Sequence, residues 1–397
     1  MKQFCLSIGL LLLACTPAFA QPFLMGYFPQ WGLYQDPPYT VHSLVASGAA
    51  GLLSQIDYAQ GSVTGGRCGI ADANADLNFS FPAQQSVNGV ADQPSQPLRG
   101  DFHQLQELKQ RYPDLRILIS LEGRAESFEQ AALPQSREAF VASCIDTFLR
   151  GHFASGIHAP GLFDGIDLDW EFPRKEDSGN FIALLAEFRR QLNALDPTLL
   201  LTIAAGPSPG MYHDVDMGAA STYLDEIGLM NYDYNGPWRH ETGFIAPLYT
   251  PDNDPEPHHD VDSTVHAYLS AGVPAHKLLL GLPFYGYGWQ SVPPADHGLF
   301  QPGKAIHADR PWSYLRQLED TSALYRDPRS QAPWLYDGHT FWTFEDPVSV
   351  TFKARYATDH RLLGMMIWEL SNDSQNADLL KSLAGKVHAP PEKTGSQ

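Results

Sequence analysis

Phe163-Asp164-Gly165-Ile166-Asp167-Leu168-Asp169-Trp170-Glu171 is a short stretch in which acidic and apolar residues alternate. On a β-strand, residues two apart share a face. Asp167, Asp169 and Glu171 would therefore stand in one row, with Ile166, Leu168 and Trp170 packed behind them. Three carboxyl groups so close repel one another, and their proton affinities must spread apart. A solvated edge strand would show the same alternation, but such strands seldom carry Ile, Leu and Trp between the acids. The row points to chemistry, with its last carboxyl as a proton donor.

Outward from that stretch, short apolar runs alternate with amphipathic segments along most of the chain. Strands are expected at 23–28, 52–58, 116–121, 163–171, 199–205, 227–232, 277–284 and 363–368. Eight runs of this kind predict an α/β fold, a closed (β/α)8 barrel. Helical periodicity falls between them, at 102–112, 136–149 and 179–195. Residues 60–100, rich in Gly, Gln, Asn and Pro, read as a long loop. Residues 286–346 exceed a normal crossover and hold short aromatic and β-branched runs such as Thr340-Phe341-Trp342. They read as a small α+β subdomain inserted between the seventh and eighth strands. The barrel unit is expected to span 21–386, followed by a disordered tail at 387–397.

Residues 1–20 read as a secretory signal: Lys2, an apolar run at 4–14, and Ala18-Phe19-Ala20 before a cut at Gln21. Cys15 after Leu12-Leu13-Ala14 offers a less well formed lipid-anchor site. The apolar run is too short for a permanent span. An exported protein is expected, extracellular or periplasmic, with no membrane association beyond export. With 45 acidic and 26 basic residues, the net charge is −19. Such a surface repels nucleic acid and anionic lipid and suits a neutral or cationic ligand. Eight Trp, 17 Tyr and 21 Phe supply the aromatic faces that a sugar-stacking cleft needs. Signal cleavage would leave Cys68 and Cys144, which most simply form one disulfide in an oxidising compartment; two buried free thiols are the alternative. Their spacing fits neither a zinc ribbon nor a redox pair. His258-His259, beside Asp260 and Asp262, lacks helical ligand spacing and reads as a solvated loop, so no metal is expected.

Barrel enzymes gather their reactive groups at the C-terminal ends of strands. Those ends offer Tyr27, Ser120, the acidic row, Met230-Asn231-Tyr232-Asp233, Tyr285 and Trp368-Glu369. On these motifs the chain resembles the family 18 glycoside hydrolases, and within them the secreted microbial chitinases. The acidic stretch fits the family signature. Met230-Asn231-Tyr232-Asp233 is similar to its sixth-strand motif, Leu280-Gly281-Leu282-Pro283-Phe284-Tyr285-Gly286 to its seventh and Gly364-Met365-Met366-Ile367-Trp368-Glu369 to its eighth. The likeness runs from about residue 23 to 383.

The resemblance implies a retaining, substrate-assisted hydrolysis of β-1,4 links between N-acetylglucosamine units. In that scheme Glu171 is the general acid and base, Asp169 orients the acetamido group, and Tyr232 donates to it. Asp167 and Ser120 support the row from behind, Trp368 is the sugar's floor, and Tyr27, Met230, Asp233 and Tyr285 touch substrate. Chitin or its oligosaccharides would be the ligand, no cofactor would be needed, and the protein would be a monomer. The placement of Cys68 and Cys144 is similar to members whose second-strand loop is tied to the third helix. One departure stands out: the family's third strand ends Ser-x-Gly-Gly-aromatic, whereas here it reads Ser120-Leu121-Glu122-Gly123-Arg124. Either Glu122 and Arg124 pair at the surface, or sugar preference has changed or binding on that side is weaker. An endo-β-N-acetylglucosaminidase acting on N-glycans and a non-catalytic lectin-like relative are the alternative functions.

Overall fold

The computed structural model describes residues 22–255 and 259–385. The signal segment, Cys15, His258 and the tail at 387–397 lie outside the described residues. Eight parallel strands run β1 Phe23–Pro29, β2 Gln55–Thr64, β3 Arg116–Glu122, β4 Gly165–Asp169, β5 Leu200–Ala205, β6 Glu226–Leu229, β7 Leu278–Pro283 and β8 Gly364–Trp368. Each pairs with its neighbour in sequence. β1 pairs with both β2 and β8, so the sheet closes into the expected (β/α)8 barrel.

Alternation along the strands explains the closure. Leu24 and Phe28 of β1, Ile117 and Ile119 of β3, and Ile166 and Leu168 of β4 join one large cluster with the helical side chains Phe102, Phe181, Leu184 and Phe188. Each such side chain contributes about 1.5–3 kcal/mol when fully buried. The alternate residues Met25, Tyr27, Ala59, Ala204, Leu279 and Met366 form a second, separate cluster. Met366 fits because Gly228 and Gly281 leave room: a Cβ there would meet its sulfur at 2.5 Å or its methyl at 2.8 Å. Fully buried Gln55, Asp57 and Asp167, with Thr202 and Glu226 nearly so, give this interior a polar character that the outer face lacks.

The stretch 60–100, read as loop, contains ordered pairing. β2 continues to Thr64, turns at Gly65 and Gly66, both at positive φ, and returns as an antiparallel strand, Arg67–Ile70. Two glycines permit that reversal because each occupies a conformation L side chains rarely adopt. Cys68 in the returning strand is bonded to Cys144 at the end of helix Arg137–Cys144, which excludes the free-thiol alternative. Between β7 and β8 stands a five-stranded antiparallel sheet, in spatial order Lys304–Pro311, Tyr285–Gln290, Phe341–Thr343, Pro333–Tyr336 and Ala323–Arg326. Its core is its own: Trp289, Trp334, Tyr336 and Phe341 pack with Phe244. Among the described residues no helix is long and apolar enough to cross a membrane.

The disulfide joins residues 76 apart. A loop of that length restricts the unfolded chain enough to stabilise the fold by roughly 2–4 kcal/mol. Replacing both cysteines by alanine should lower the guanidinium-derived unfolding free energy by that amount. A loss under about 1 kcal/mol would contradict this account of the hairpin.

Candidate active site

The acidic row climbs from full burial to solvent. Asp167 is 0 % exposed and Asp169 8 %, while Glu171 is exposed. Glu171 does not stand on the strand as the alternation predicts. The ladder ends at Asp169, opposite Glu122 of β3, and on the other side at Leu168, opposite Ile203 of β5. Trp170 turns into the outer core, stacking on Phe128 at 5.5 Å and meeting Phe181 edge-on at 5.8 Å. That anchorage carries the next residue, Glu171, over the barrel mouth.

Asp167 is held by three hydroxyls. Tyr27 donates to Oδ2 at 3.0 Å, Ser120 to Oδ2 at 2.8 Å and Thr202 to Oδ1 at 2.7 Å. Burial raises the proton affinity of this carboxyl, and the three donors only partly offset it. Asp169 is raised well above the ordinary range, first by burial, then by the charges of Glu171 and Asp167. One of its oxygens, Oδ1, is buried without a partner. Glu171 is raised by burial, then by Glu122 and Asp233. Deeper in the barrel, Asp57 accepts from Gln55 at 2.9 Å and is raised by burial and then by Asp167.

Beyond the end of β6 the chain presents Met230, Tyr232 and Asp233. Asp233 adopts φ 61°, a left-handed conformation that Asp tolerates better than most residues. Its Oδ1 accepts from Tyr285, just past β7, at 2.7 Å, and burial raises its proton affinity. Aromatic contacts continue along this wall from Tyr232 to Tyr285, Tyr287 and Trp238, at centroid spacings of 6.1, 5.5 and 5.7 Å. Across the mouth, Trp368 at the end of β8 meets Tyr27 at 5.1 Å and Trp31 at 6.2 Å. Trp238 is 58 % exposed and Trp31 36 %, so both rings are available beside the opening.

These groups enclose a cleft of about 380 Å³ lined by Tyr27, Asp169, Glu171, Met230, Tyr232, Asp233, Tyr285 and Trp368, together with Phe172, Ala204, Pro207 and Ser208. Ser120 and Asp167 lie beneath it, outside the lining. Thr202, Asp57, Phe172, Tyr287, Trp31 and Trp238 are not singled out by the sequence reading. For Thr202 the signal is its place in the β5 run, since Asp167 and Thr202 sit opposite in parallel register. Glu122 and Arg124 are both exposed, and no ion pair joins them. The ladder sets Glu122 beside Asp169, two residues beyond Ser120, so its carboxylate belongs to the rim of the same acidic group. His259 is exposed, and Asp260 is a helix cap whose Oδ1 accepts from the backbone N–H of Ser263 at 2.7 Å.

An aromatic-walled cleft with one exposed carboxyl above two buried ones suits acid catalysis on a neutral ring-bearing substrate. The Glycosyl hydrolases family 18 profile matches residues 24–373 of the chain. Chitinase C of Streptomyces lividans is 34 % identical over 369 residues, covering 89 % of this chain and 58 % of that protein. Chitinase 63 of Streptomyces plicatus is 33 % identical over 374 residues, covering 90 % of this chain and 59 % of its own. The present chain thus spans about three-fifths of the length of these relatives. The structure of the catalytic domain of psychrophilic chitinase B from Arthrobacter TAD20 superposes with a TM-score of 0.86 at 31 % identity, covering 92 % of this chain and 95 % of that one. The chain belongs to glycoside hydrolase family 18.

Thr202→Val keeps the side-chain volume but removes the donor to Asp167 Oδ1. A buried acceptor left unpaired costs about 1–3 kcal/mol, so chemical denaturation should show a loss of that size. Unchanged stability would mean that Asp167 does not depend on this hydroxyl.

Proposed function

We propose that the protein is a chitinase that cleaves β-1,4 links between N-acetylglucosamine units with retention, using the substrate's own acetamido group as nucleophile. The observation that carries the reading is the burial gradient along the acidic row: Glu171 is exposed, Asp169 meets the cleft with only 8 % of its surface, and Asp167 is fully buried beneath. Only the exposed member can hand a proton to a glycosidic oxygen. Asp169 lies deeper on the cleft wall, flanked by Glu171 and Asp167, where burial and those charges raise its proton affinity and weaken it as a nucleophile. The attacking oxygen must then come from the substrate, and an N-acetyl group provides one.

In the proposed reaction Glu171 protonates the glycosidic oxygen as the bond from anomeric carbon to that oxygen breaks. The acetamido oxygen bonds to the anomeric carbon and gives an oxazolinium ion. Asp169 orients the amide N–H and shares its developing charge, while Tyr232 donates to the acetamido oxygen. Ionised Glu171 next takes a proton from water, whose oxygen bonds to the anomeric carbon from the face the leaving group vacated as the bond from that carbon to the acetamido oxygen breaks and the N-acetyl group is restored. The product keeps its β configuration and Glu171 regains its proton. Tyr27, Met230, Asp233, Tyr285 and Trp368 shape the cleft around the distorted sugar, and Ser120 with Asp167 steadies the row. The sequence of residues 1–20 supports export.

Hydrolysis of a chromogenic N-acetylglucosamine oligomer tests the reading. Wild type should turn it over, and Glu171→Gln should lower kcat by at least about 10³-fold, while oligomer binding survives. Absence of turnover by wild type would leave the lectin-like alternative.

The pH profile tests the electrostatics separately. Free-enzyme activity needs protonated Glu171, so its ionisation sets the basic limb of kcat/KM. The Glu122 carboxylate opposes that ionisation and raises the pKa. Glu122→Gln should therefore move the basic limb toward lower pH. A limb that stays in place would refute the coupling.

A further inference from the structure

Outside the cleft, two neighbouring helices bring three metal-ligating side chains together. Asp262 and His266 stand one turn apart on helix Val261–Ser270, and His360 caps the C-terminal end of helix Pro347–Asp359. One ligand atom from each lies within 4.8 Å of the others. This group is distinct from the His258-His259 pair and plays no part in the proposed hydrolysis.

The ring orientations favour ligation. His266 Nδ1 lies 2.9 Å from the carbonyl oxygen of Asp262, and His360 Nδ1 lies 2.9 Å from that of Tyr356. A carbonyl can only accept, so each ring donates from Nδ1, with His266 Nδ1 also 3.2 Å from Asp262 Oδ1, and in the neutral ring Nε2 is the atom that can ligate. Metal-binding histidines are oriented in the same way, by donating their other ring N–H to a carbonyl or carboxylate. Tyr356 fixes the other two ligands at once. Its ring stacks on His360 at 3.9 Å, and its hydroxyl donates to Asp262 Oδ1 at 2.8 Å, leaving Oδ2 for an ion. His266 is 56 % exposed and meets His360 edge-on at 5.7 Å, so it can swing without disturbing the core.

We infer that Asp262, His266 and His360 bind one divalent transition-metal ion of the zinc and nickel class, clipping the two helices together. Two imidazoles and one carboxylate match such borderline cations, whereas calcium and magnesium prefer oxygen cages. Zinc bonds of about 2.0–2.2 Å require the ligand atoms to draw in, and the exposed His266 side chain is the member with room to move toward the other two. Water completes the shell.

The test uses the full chain, stripped with EDTA, dialysed, and titrated with zinc chloride by calorimetry alongside thermal melts. One saturable site is expected, with a Tm that climbs as zinc is added and does not respond to magnesium chloride. The double variant His266→Asn, His360→Asn should bind zinc at least about tenfold more weakly, and its own Tm should no longer climb when zinc is added. If that variant does not fold, His360→Gln alone goes through the same titration with the same expected weakening. Cobalt(II) added to wild type should give ligand-field absorption that zinc displaces. No saturable site in wild type, or an unchanged Kd in the folded variant, overturns the proposal.

Discussion

Negative charge buried inside the barrel is the constraint on which the rest of the structure depends. Asp57, Asp167 and Asp169 occupy an interior where isolated ions are costly, and few cations reach them. Arg116, 3.5 Å from Glu226, is the cation the barrel interior meets at its lower end. The remaining compensation comes from neutral donors on different strands: Tyr27 from β1, Ser120 from β3 and Thr202 from β5 all converge on Asp167. Closure of the barrel is what brings those strands around one carboxyl. A flat sheet with the same residues would leave Tyr27 far from β4.

The walls follow from the floor. Burial and mutual repulsion raise the proton affinities along the row, and neutral aromatic surface, not cations, lines the mouth above it. The inserted five-stranded sheet begins at Tyr285, directly after β7, so its first strand supplies Tyr285 to the cleft lining, with Tyr287 edge-on against it. Asp233 accepts from Tyr285, which ties the segment beyond β6 to the inserted sheet. The cleft is therefore a joint between barrel and insertion, and its aromatic wall is held at both ends.

Much of this is legible because strand periodicity carries it. Two-residue spacing in 163–171 separates Asp167 and Asp169 from Ile166 and Leu168, and the structure keeps that separation. Periodicity fails where the ladder stops. Alternation puts Glu171 on the strand, yet it lies past the last paired position, since register with β3 and β5 is a tertiary property. Thr202 and Asp57 stay hidden for a related reason: Thr202 is one polar residue within an apolar run and Asp57 one of three in its own, and only ring closure reveals what each faces. The hairpin after β2 is masked by its composition, since glycine occupies both its turn, at Gly65 and Gly66, and two of its paired positions, Gly61 and Gly69. Asp262 and His266 have helical spacing, but nothing local announces that His360, at the end of another helix, meets them. Tyr356, bonded to Asp262 across 94 residues, shows how distant that junction is in sequence.

The departure at Glu122 shows how the acidic rim and the proposed chemistry are bound together. A small residue at that place in the ladder would leave Glu171 with burial and Asp233 as the sources of its raised proton affinity. Glu122 adds a third carboxylate that shares no ion pair with Arg124, so its charge is free to act across the mouth. The effect has two sides. It keeps the proposed proton donor loaded to higher pH, and it makes the rim more negative, in line with the net charge of −19. Such a rim attracts a cationic ligand, leaves a neutral one unopposed and repels an anionic one, so the same substitution that tunes the acid also narrows what the cleft admits.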